Sequence, residues 1–416
     1  MTISPFSLSD NQRRQSLGSL DERLHARSPT HTLEGAFYGS PEAFAFDMDR
    51  VFTRQWLFAG HECELEKVGA FLTMQVGPYP ILVIRSREGI RAFHNSCRHR
   101  GSRLCPEPHG VRTRIVCPYH SWTYGLDGVL IGARDMGPNF DRGDHALHPV
   151  ACVAFAGYIF VCLSDDPPDI APLRAMAESF LGPHHLADAK VAHESVIIEQ
   201  GDWKLVWENN RECYHCASNH PELCRAFTDA PGVSGVSGAG EDPDIVAHWA
   251  VCEGAGLRSQ FTISPDGQFR FARMPLISGV ESYTMHGKRA CRRRLSDNVP
   301  ADLNVGSLLF FHYPGCWNHI LGDHALSFRV LPVSPGVTEV TTKWLVHRDA
   351  IEGVDYDVDE MTHVWKATND QDRRIVEENQ IGVSSPAYRP GPYSPVHEGG
   401  VIQFLDWYAS AAGGAR

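Results

Sequence analysis

The chain predicts an α+β protein in two parts, with a small β domain over residues 46–165 and a larger mixed domain over residues 166–416. Residues 1–45 form an N-terminal arm and the start of a helix. Three observations carry this reading. Short β-rich runs separated by Gly-containing turns fill the stretch from 71 to 163. Asp165-Asp-Pro-Pro-Asp169 reads as a linker. A helical apolar period then runs from about Val354 to Gly382 near the end of the chain. At 416 residues the chain allows two to three domains and can bury a sizeable core.

Taken in order, residues 41–60 read as helical: Pro41 opens the run, and Phe46, Met48, Val51, Phe52 and Trp56 recur at near-helical spacing. Strands follow at Phe71–Val76, Ile81–Arg85 and Ile90–Asn95, and Val153–Leu163 reads as an apolar strand pair around Gly157. Beyond the linker, residues 170–181 are helical and Val191–Glu199 is a strand. A further helix begins near Asp202-Trp203. Residues 229–243, rich in Gly, Ser, Pro and Asp, form a long loop. Leu308–Tyr313 and His319–Leu321 are short strands, and Ala325–Pro332 pairs with Glu339–His347 around Ser334-Pro-Gly336.

Composition bounds the function. Hydrophobic residues make up 43% and charged residues 21%, as in an ordinary globular enzyme. The net charge of −12 weighs against nucleic acid as a partner. No apolar stretch is long enough to span a membrane. The N-terminus lacks an apolar targeting core, and the 12 cysteines form no dense framework. A cytoplasmic protein with buried thiols is expected.

The chemistry starts at Cys97-Arg-His99 and Cys117-Pro-Tyr-His120. Each loop offers one thiolate and one imidazole. That is the ligand set of a Rieske [2Fe–2S] centre, in which two Cys hold one iron and two His the other. A structural zinc site takes the same donors, but its spacing groups Cys with Cys and His with His. Here they alternate within each pair.

A second constellation lies at Glu212-Cys-Tyr-His215 and His220. Histidines five apart on a straight helix point about 140° from one another. They reach one metal only if the helix ends or bulges between them, and Pro221 favours an end. Two His and one carboxylate form the usual home of O2-activating non-haem Fe(II). The carboxylate is found by helical phase: Asp372 shares the face of Met361, Val364, Trp365, Thr368, Ile375 and Val376. A carboxylate on an apolar stripe needs a cation. Glu212, one turn before His215, is placed to hold its imidazole. The Cys213-x-x-Cys216 pair also invites a redox reading, which the absence of a thioredoxin-like context discounts.

On these motifs the chain resembles the large subunits of Rieske non-haem iron oxygenases along nearly its whole length. Ser102 and Ser121 stand where respiratory Rieske proteins carry an extra disulfide, so the loops look like the oxygenase type. The resemblance implies a β-sandwich-like Rieske domain and a helix-grip catalytic domain, in which a curved antiparallel sheet holds a long C-terminal helix. It implies a [2Fe–2S] cluster on Cys97, His99, Cys117 and His120, and Fe(II) on His215, His220 and Asp372. It also implies a homotrimer in which Glu212 bridges electrons from His120 of one subunit to His215 of the next.

Glu212, and the stretches Asn369-Asp-Gln-Asp372 and Pro386-Ala-Tyr-Arg-Pro-Gly-Pro-Tyr-Ser-Pro395, look most like the branch acting on quaternary ammonium compounds. That branch takes electrons from a reductase, expected to carry flavin and a [2Fe–2S] centre, and uses O2 to demethylate its substrate. Glycine betaine is the expected substrate, with choline, carnitine, proline betaine or an aromatic acid as alternatives. A trimethylammonium group needs aromatic faces, for which Phe227, Phe310, Phe311, Tyr313 and Trp317 are the candidates. A pure electron carrier and a structural zinc protein are the rival classes.

Overall fold

The computed structural model describes residues 19–227, 242–300 and 302–413. The chain divides into two compact units. One comprises residues 52–170 with 186–188, and the other the described residues within 1–51, 171–185 and 189–416. The predicted loop at 229–243 lies almost wholly outside the described residues.

The first unit is built on β1 (Leu57–His61), β2 (Ala70–Val76), β3 (Tyr79–Ser86), β4 (Gly89–His94), β5 (His109–Val111), β9 (Pro149–Phe155) and β10 (Tyr158–Cys162). They form one antiparallel sheet in the order β1-β10-β9-β4-β3-β2-β5. Three short strands, β6 (Ile115–Val116), β7 (Thr123–Tyr124) and β8 (Leu130–Gly132), make a second sheet. Phe71, Leu82, Ile84, Phe93, Ile115, Trp122 and Tyr124 pack with Cys97 and Cys117 in one buried cluster.

The helix expected over 41–60 is corrected. Only α1 (Pro41–Asp47) and a π-turn at Met48–Phe52 are helical, and Leu57–His61 is a strand paired with β10. All five residues of β1 are buried. A continuous apolar run carries no period that separates strand from helix.

The second unit holds a seven-stranded antiparallel sheet in the order β11-β17-β16-β15-β14-β13-β12. Its strands are β11 (Ala189–Glu199), β12 (Thr262–Ile263), β13 (Phe269–Met274), β14 (Ser307–His312), β15 (Cys316–Ile320), β16 (Ala325–Ser334) and β17 (Val337–His347). Its helices are α2 (Ala171–Leu181), α3 (Trp203–Asn210), α4 (Cys216–Asn219), α5 (Pro243–Gly254), α6 (Val358–Val383) and α7 (Gly399–Ala412). The sheet packs against α6, the long helix, which buries Met361, Val364, Trp365 and Thr368 along one stripe. Asp202 caps α3 and Asp357 caps α6, each accepting a backbone N–H of the first turn.

Deeper in the unit, Lys204 is ion-paired with Asp47 and Asp202 and fully buried, so a charge network rather than an apolar plug fixes α1 to α3. Sequence reasoning missed α5, α7 and β13. Among the described residues no helix is long and apolar enough to cross a membrane.

Candidate active site

In the first unit the two cysteine–histidine loops are built alike. Gly101 N–H donates to Cys97 O at 2.9 Å, and Ser121 N–H donates to Cys117 O at 3.0 Å. Gly101 and Ser121 both have positive φ, 74° and 59°. Each loop therefore turns back on its cysteine one residue or two after its histidine, and the strained Ser121 marks a site over-determined by its surroundings. The result brings the rings of His99 and His120 to 4.6 Å.

His99 stacks on Trp122 at 4.8 Å, while His120 lies exposed at the loop tip beside Tyr119. Cys97 and Cys117 are buried, and Tyr124 hydroxyl lies 3.3 Å from Cys97 Sγ. Burial raises the Cys97 thiol pKa, while the Tyr124 hydrogen bond works the other way. His99 Nδ1 is buried without any hydrogen-bond partner. Two buried thiols and an orphaned imidazole nitrogen suit an iron–sulfur cluster better than an empty core.

In the second unit α3 stops at Asn210, so Glu212 is not on a helix as expected but in the loop after it. Its carboxylate folds back over that loop. Glu212 Oε2 accepts the Tyr214 and His215 backbone N–H groups, and Oε1 lies 2.5 Å from His215 Nδ1. The next helix, α4, is a single turn with His215 at its N-cap and His220 at its C-cap. The helix thus ends between the two histidines, and their Nε2 atoms come within 3.0 Å. His220 leaves helical geometry at φ −120°, ψ 67°, as Pro221 requires.

Asp372 arrives from α6. Its Oδ1 lies 3.0 Å from His220 Nε2 and 3.4 Å from His215 Nε2, with no aligned hydrogen bond to either. Gln371 Oε1 lies 2.8 Å from His220 Nδ1, and Gln371 Nε2 donates to Glu222 Oε2 at 2.8 Å. With Nδ1–H of each ring given to an acceptor, both Nε2 lone pairs face each other and a carboxylate oxygen. Such a set draws a cation to its centre, a proton or a metal ion. At 3.0 Å apart the two Nε2 atoms are close enough that both could reach one metal ion at a bond length of about 2.1 Å.

Burial opposes charge on all three groups, yet their mutual attraction prevails. Asp372 and Glu212 lift His215 to about 9, His220 is raised, and Asp372 is held below the usual carboxylate range. Cys216 Sγ also lies within 4.8 Å of the two nitrogens, but it is bonded to Cys213. The disulfide corrects the expectation of thiols alone and leaves two His and one Asp as the donor set.

The set opens into a cavity of about 90 Å³. Phe227 and Phe311, two of the aromatic candidates, line it, joined by Tyr283, His319 and Trp365, which sequence reasoning did not select. Trp365 packs edge-on to Tyr283 at 5.5 Å and lies 4.6 Å from His319. Burial pushes His319 down to about 3, so it adds no cation.

Phe310, Tyr313 and Trp317 do not line the cavity, which corrects their selection. Phe310 neighbours Phe311 on one strand and so faces the opposite side, stacked on Phe271 at 4.4 Å. Tyr313 is packed among Trp207, Phe404 and Trp407, and Trp317 is stacked on Phe328 and covered by Trp207.

A Rieske-loop β unit and a sheet-and-helix unit with a His–His–Asp pocket together define the oxygenase component of a Rieske non-haem iron system. The chain matches the Rieske [2Fe-2S] domain over residues 55–153 and the ring hydroxylating alpha subunit (catalytic domain) over residues 186–414, and it belongs to this family of enzymes. These are the domains that carry a Rieske [2Fe–2S] cluster and a mononuclear non-haem iron.

Among named relatives, the glycine betaine monooxygenase oxygenase subunit of Chromohalobacter salexigens is 48% identical, covering 93% of this chain and 87% of that protein. The glycine betaine monooxygenase oxygenase subunit of Pseudomonas aeruginosa PAO1 is 45% identical, covering 93% and 90%. The crystal structure of a quaternary ammonium Rieske monooxygenase, CntA, superposes with a TM-score of 0.72 at 20% identity, covering 94% of this chain and 98% of that one; it supports the fold.

Proposed function

We propose that this chain is the oxygenase component of a monooxygenase that removes a methyl group from glycine betaine. The observation that carries this is the 48% identity along nearly the full chain, together with an aromatic-walled cavity beside the His215, His220 and Asp372 donors. In this reading Cys97, His99, Cys117 and His120 hold the [2Fe–2S] cluster. His215, His220 and Asp372 hold the iron. When bound, the two centres supply single electrons and O2 activation at an open coordination position.

The chain's own residues set the rest. Tyr283, Trp365 and Phe227 give π-faces to the trimethylammonium head, leaving one N-methyl toward the metal donors, while the Phe311 ring is taken by the guanidinium groups of Arg211 and Arg270. The low-dielectric walls exclude bulk water from the reacting carbon. Overall, substrate, O2, two electrons and two protons give an N-hydroxymethyl ammonium and water. That species expels formaldehyde and a proton and leaves dimethylglycine.

Glu212 holds the Nδ1 proton of His215. In the homotrimer of this reading it links that imidazole to exposed His120 of a neighbouring subunit. The electrons come from a reductase carrying flavin and its own [2Fe–2S] centre, in the cytoplasm. Metal analysis and the visible spectrum of anaerobically purified protein, followed by a formaldehyde assay on glycine betaine with a donated reductase, test this. About three irons per chain, a red-brown spectrum and formaldehyde are expected. Iron and colour without formaldehyde would overturn the substrate.

A further inference from the structure

Arg270 has no place in the chemistry described so far. It sits on β13 opposite Phe311 of β14, lines the cavity and is only 6% exposed. Among the described residues it has no carboxylate partner, and its Nη1 is buried without a hydrogen-bond acceptor. Its guanidinium carbon lies 4.4 Å from the centre of the Phe311 ring. The nearby Arg211 differs: it is hydrogen-bonded to Tyr313 hydroxyl and to Gln403. Burial, with Arg211 close by, weighs against the Arg270 charge. A guanidinium cannot discard its proton to escape that cost, and a ring face offsets only part of the lost hydration. A second buried cation nearby makes the deficit worse. Among the described residues the Arg270 guanidinium therefore has no counter-anion, although the carboxylates of Glu212 and Asp372 line the same cavity.

We propose that Arg270 is the carboxylate-binding residue of the active site, so that the protein selects zwitterionic ammonium carboxylates over quaternary ammonium alcohols. The proposal rests on the N-demethylation reading above and deepens it. Aromatic walls at Tyr283 and Trp365 take the cationic head, and Arg270 takes the anionic end. A planar guanidinium fits a carboxylate through two parallel N–H···O bonds, which a hydroxyl cannot accept. Choline thus loses this contact and leaves the buried cation unanswered. Arg270 acts here as a specificity residue and needs no part in the oxygen chemistry.

The test compares wild type with Arg270→Gln, Arg270→Met and Arg270→Lys as iron-loaded, cluster-containing enzymes. Substrates are glycine betaine and choline. Formaldehyde kinetics are paired with the Tm shift that each compound causes in the absence of reductase. For Arg270→Gln the KM for glycine betaine rises about 100-fold or more, and the betaine-induced Tm shift disappears. Any choline turnover is unchanged or improved. Arg270→Lys recovers part of the betaine affinity.

Without ligand, the Tm of the Gln and Met variants stays level or rises, because an unpaired buried cation has been removed. A lower ligand-free Tm in both variants would mean that the guanidinium is structural, and would overturn the proposal. So would an unchanged betaine KM in Arg270→Gln. A wild type that demethylates choline but neither binds nor demethylates glycine betaine would overturn both the proposal and the reading beneath it.

Discussion

The two histidines of the candidate iron site are held differently, and the difference is measurable. Glu212 gives His215 a carboxylate partner, whereas Gln371 gives His220 a neutral amide at 2.8 Å. His220 is 1% exposed, so no water replaces that amide if it is removed. Gln371→Leu leaves a buried imidazole N–H unsatisfied, at roughly 1–3 kcal/mol. It also frees the ring to rotate its Nε2 away from Asp372. A lost partner of this kind lowers metal affinity by about 10- to 100-fold, which is the same range of energy. Gln371→Glu keeps an acceptor for the His220 Nδ1–H but sets a carboxylate against Glu222 Oε2, so it should hold iron more tightly than Gln371→Leu and no more tightly than wild type.

The assay is an anaerobic titration of iron-loaded protein with a ferrous chelator, following iron per chain. The visible absorbance of the [2Fe–2S] cluster, held by another unit, is the internal control. A chelator midpoint within twofold of wild type for Gln371→Leu, with the cluster intact, would refute the reasoning. Weaker binding in Gln371→Glu than in Gln371→Leu would refute it as well.

Other expectations follow from the same geometry. Glu212→Gln should keep both metal centres yet slow re-oxidation of the cluster in single-turnover experiments; full turnover per remaining iron after metal loss would exclude the bridging role. Trp365→Leu removes one π-face, worth about 0.5–2 kcal/mol, and should raise the KM for glycine betaine roughly 2- to 30-fold. Buried Glu208 accepts hydrogen bonds from Tyr38 and Tyr393, but burial outweighs them and raises its pKa to about 7. Between its unfolded value near 4.5 and about 7 the native state keeps a proton that the unfolded chain releases, so stability falls as pH rises through that window. Glu208→Gln should flatten this slope, at about 3 kcal/mol at most, in urea melts from pH 4.5 to 7.5. Gly69 has φ 90°, and a Cβ there would meet Arg112 O at 2.0 Å. Gly69→Ala should destabilise the cluster unit by roughly 3 kcal/mol, read as earlier thermal loss of cluster colour.

The candidate metal donors were legible in the sequence because each is local. Alternating Cys and His in two short loops needs no tertiary knowledge, and Asp372 follows from phase along an uninterrupted helix. Glu212 was found with the wrong local structure, since a side chain three residues before His215 reaches it from a loop as well as from a helix. The cavity wall was not legible. Phe310 and Phe311 are equally apolar, and only strand register decides which faces the cavity. Tyr283 and Trp365 meet across 82 residues of sequence. Arg270 was invisible for a further reason: all six residues of Phe269-Arg-Phe-Ala-Arg-Met274 are buried, but its two arginines disguise the run as a surface segment. Gln371, next to Asp372, reads as an ordinary polar helix residue until His220 is seen against it.

The single turn α4 has a consequence for how this protein can vary. His215 and His220 stand at its two ends, and His220 N–H closes the turn on Cys216 O at 2.8 Å. Ala217 and Ser218 between them are exposed. The segment therefore works as a spacer of set length, in which composition is nearly free while one residue more or fewer would rotate a histidine out of the site. Descendants of this sequence can drift at 217 and 218, yet they are barred from insertion and deletion there, so the five-residue interval should outlast the letters it contains.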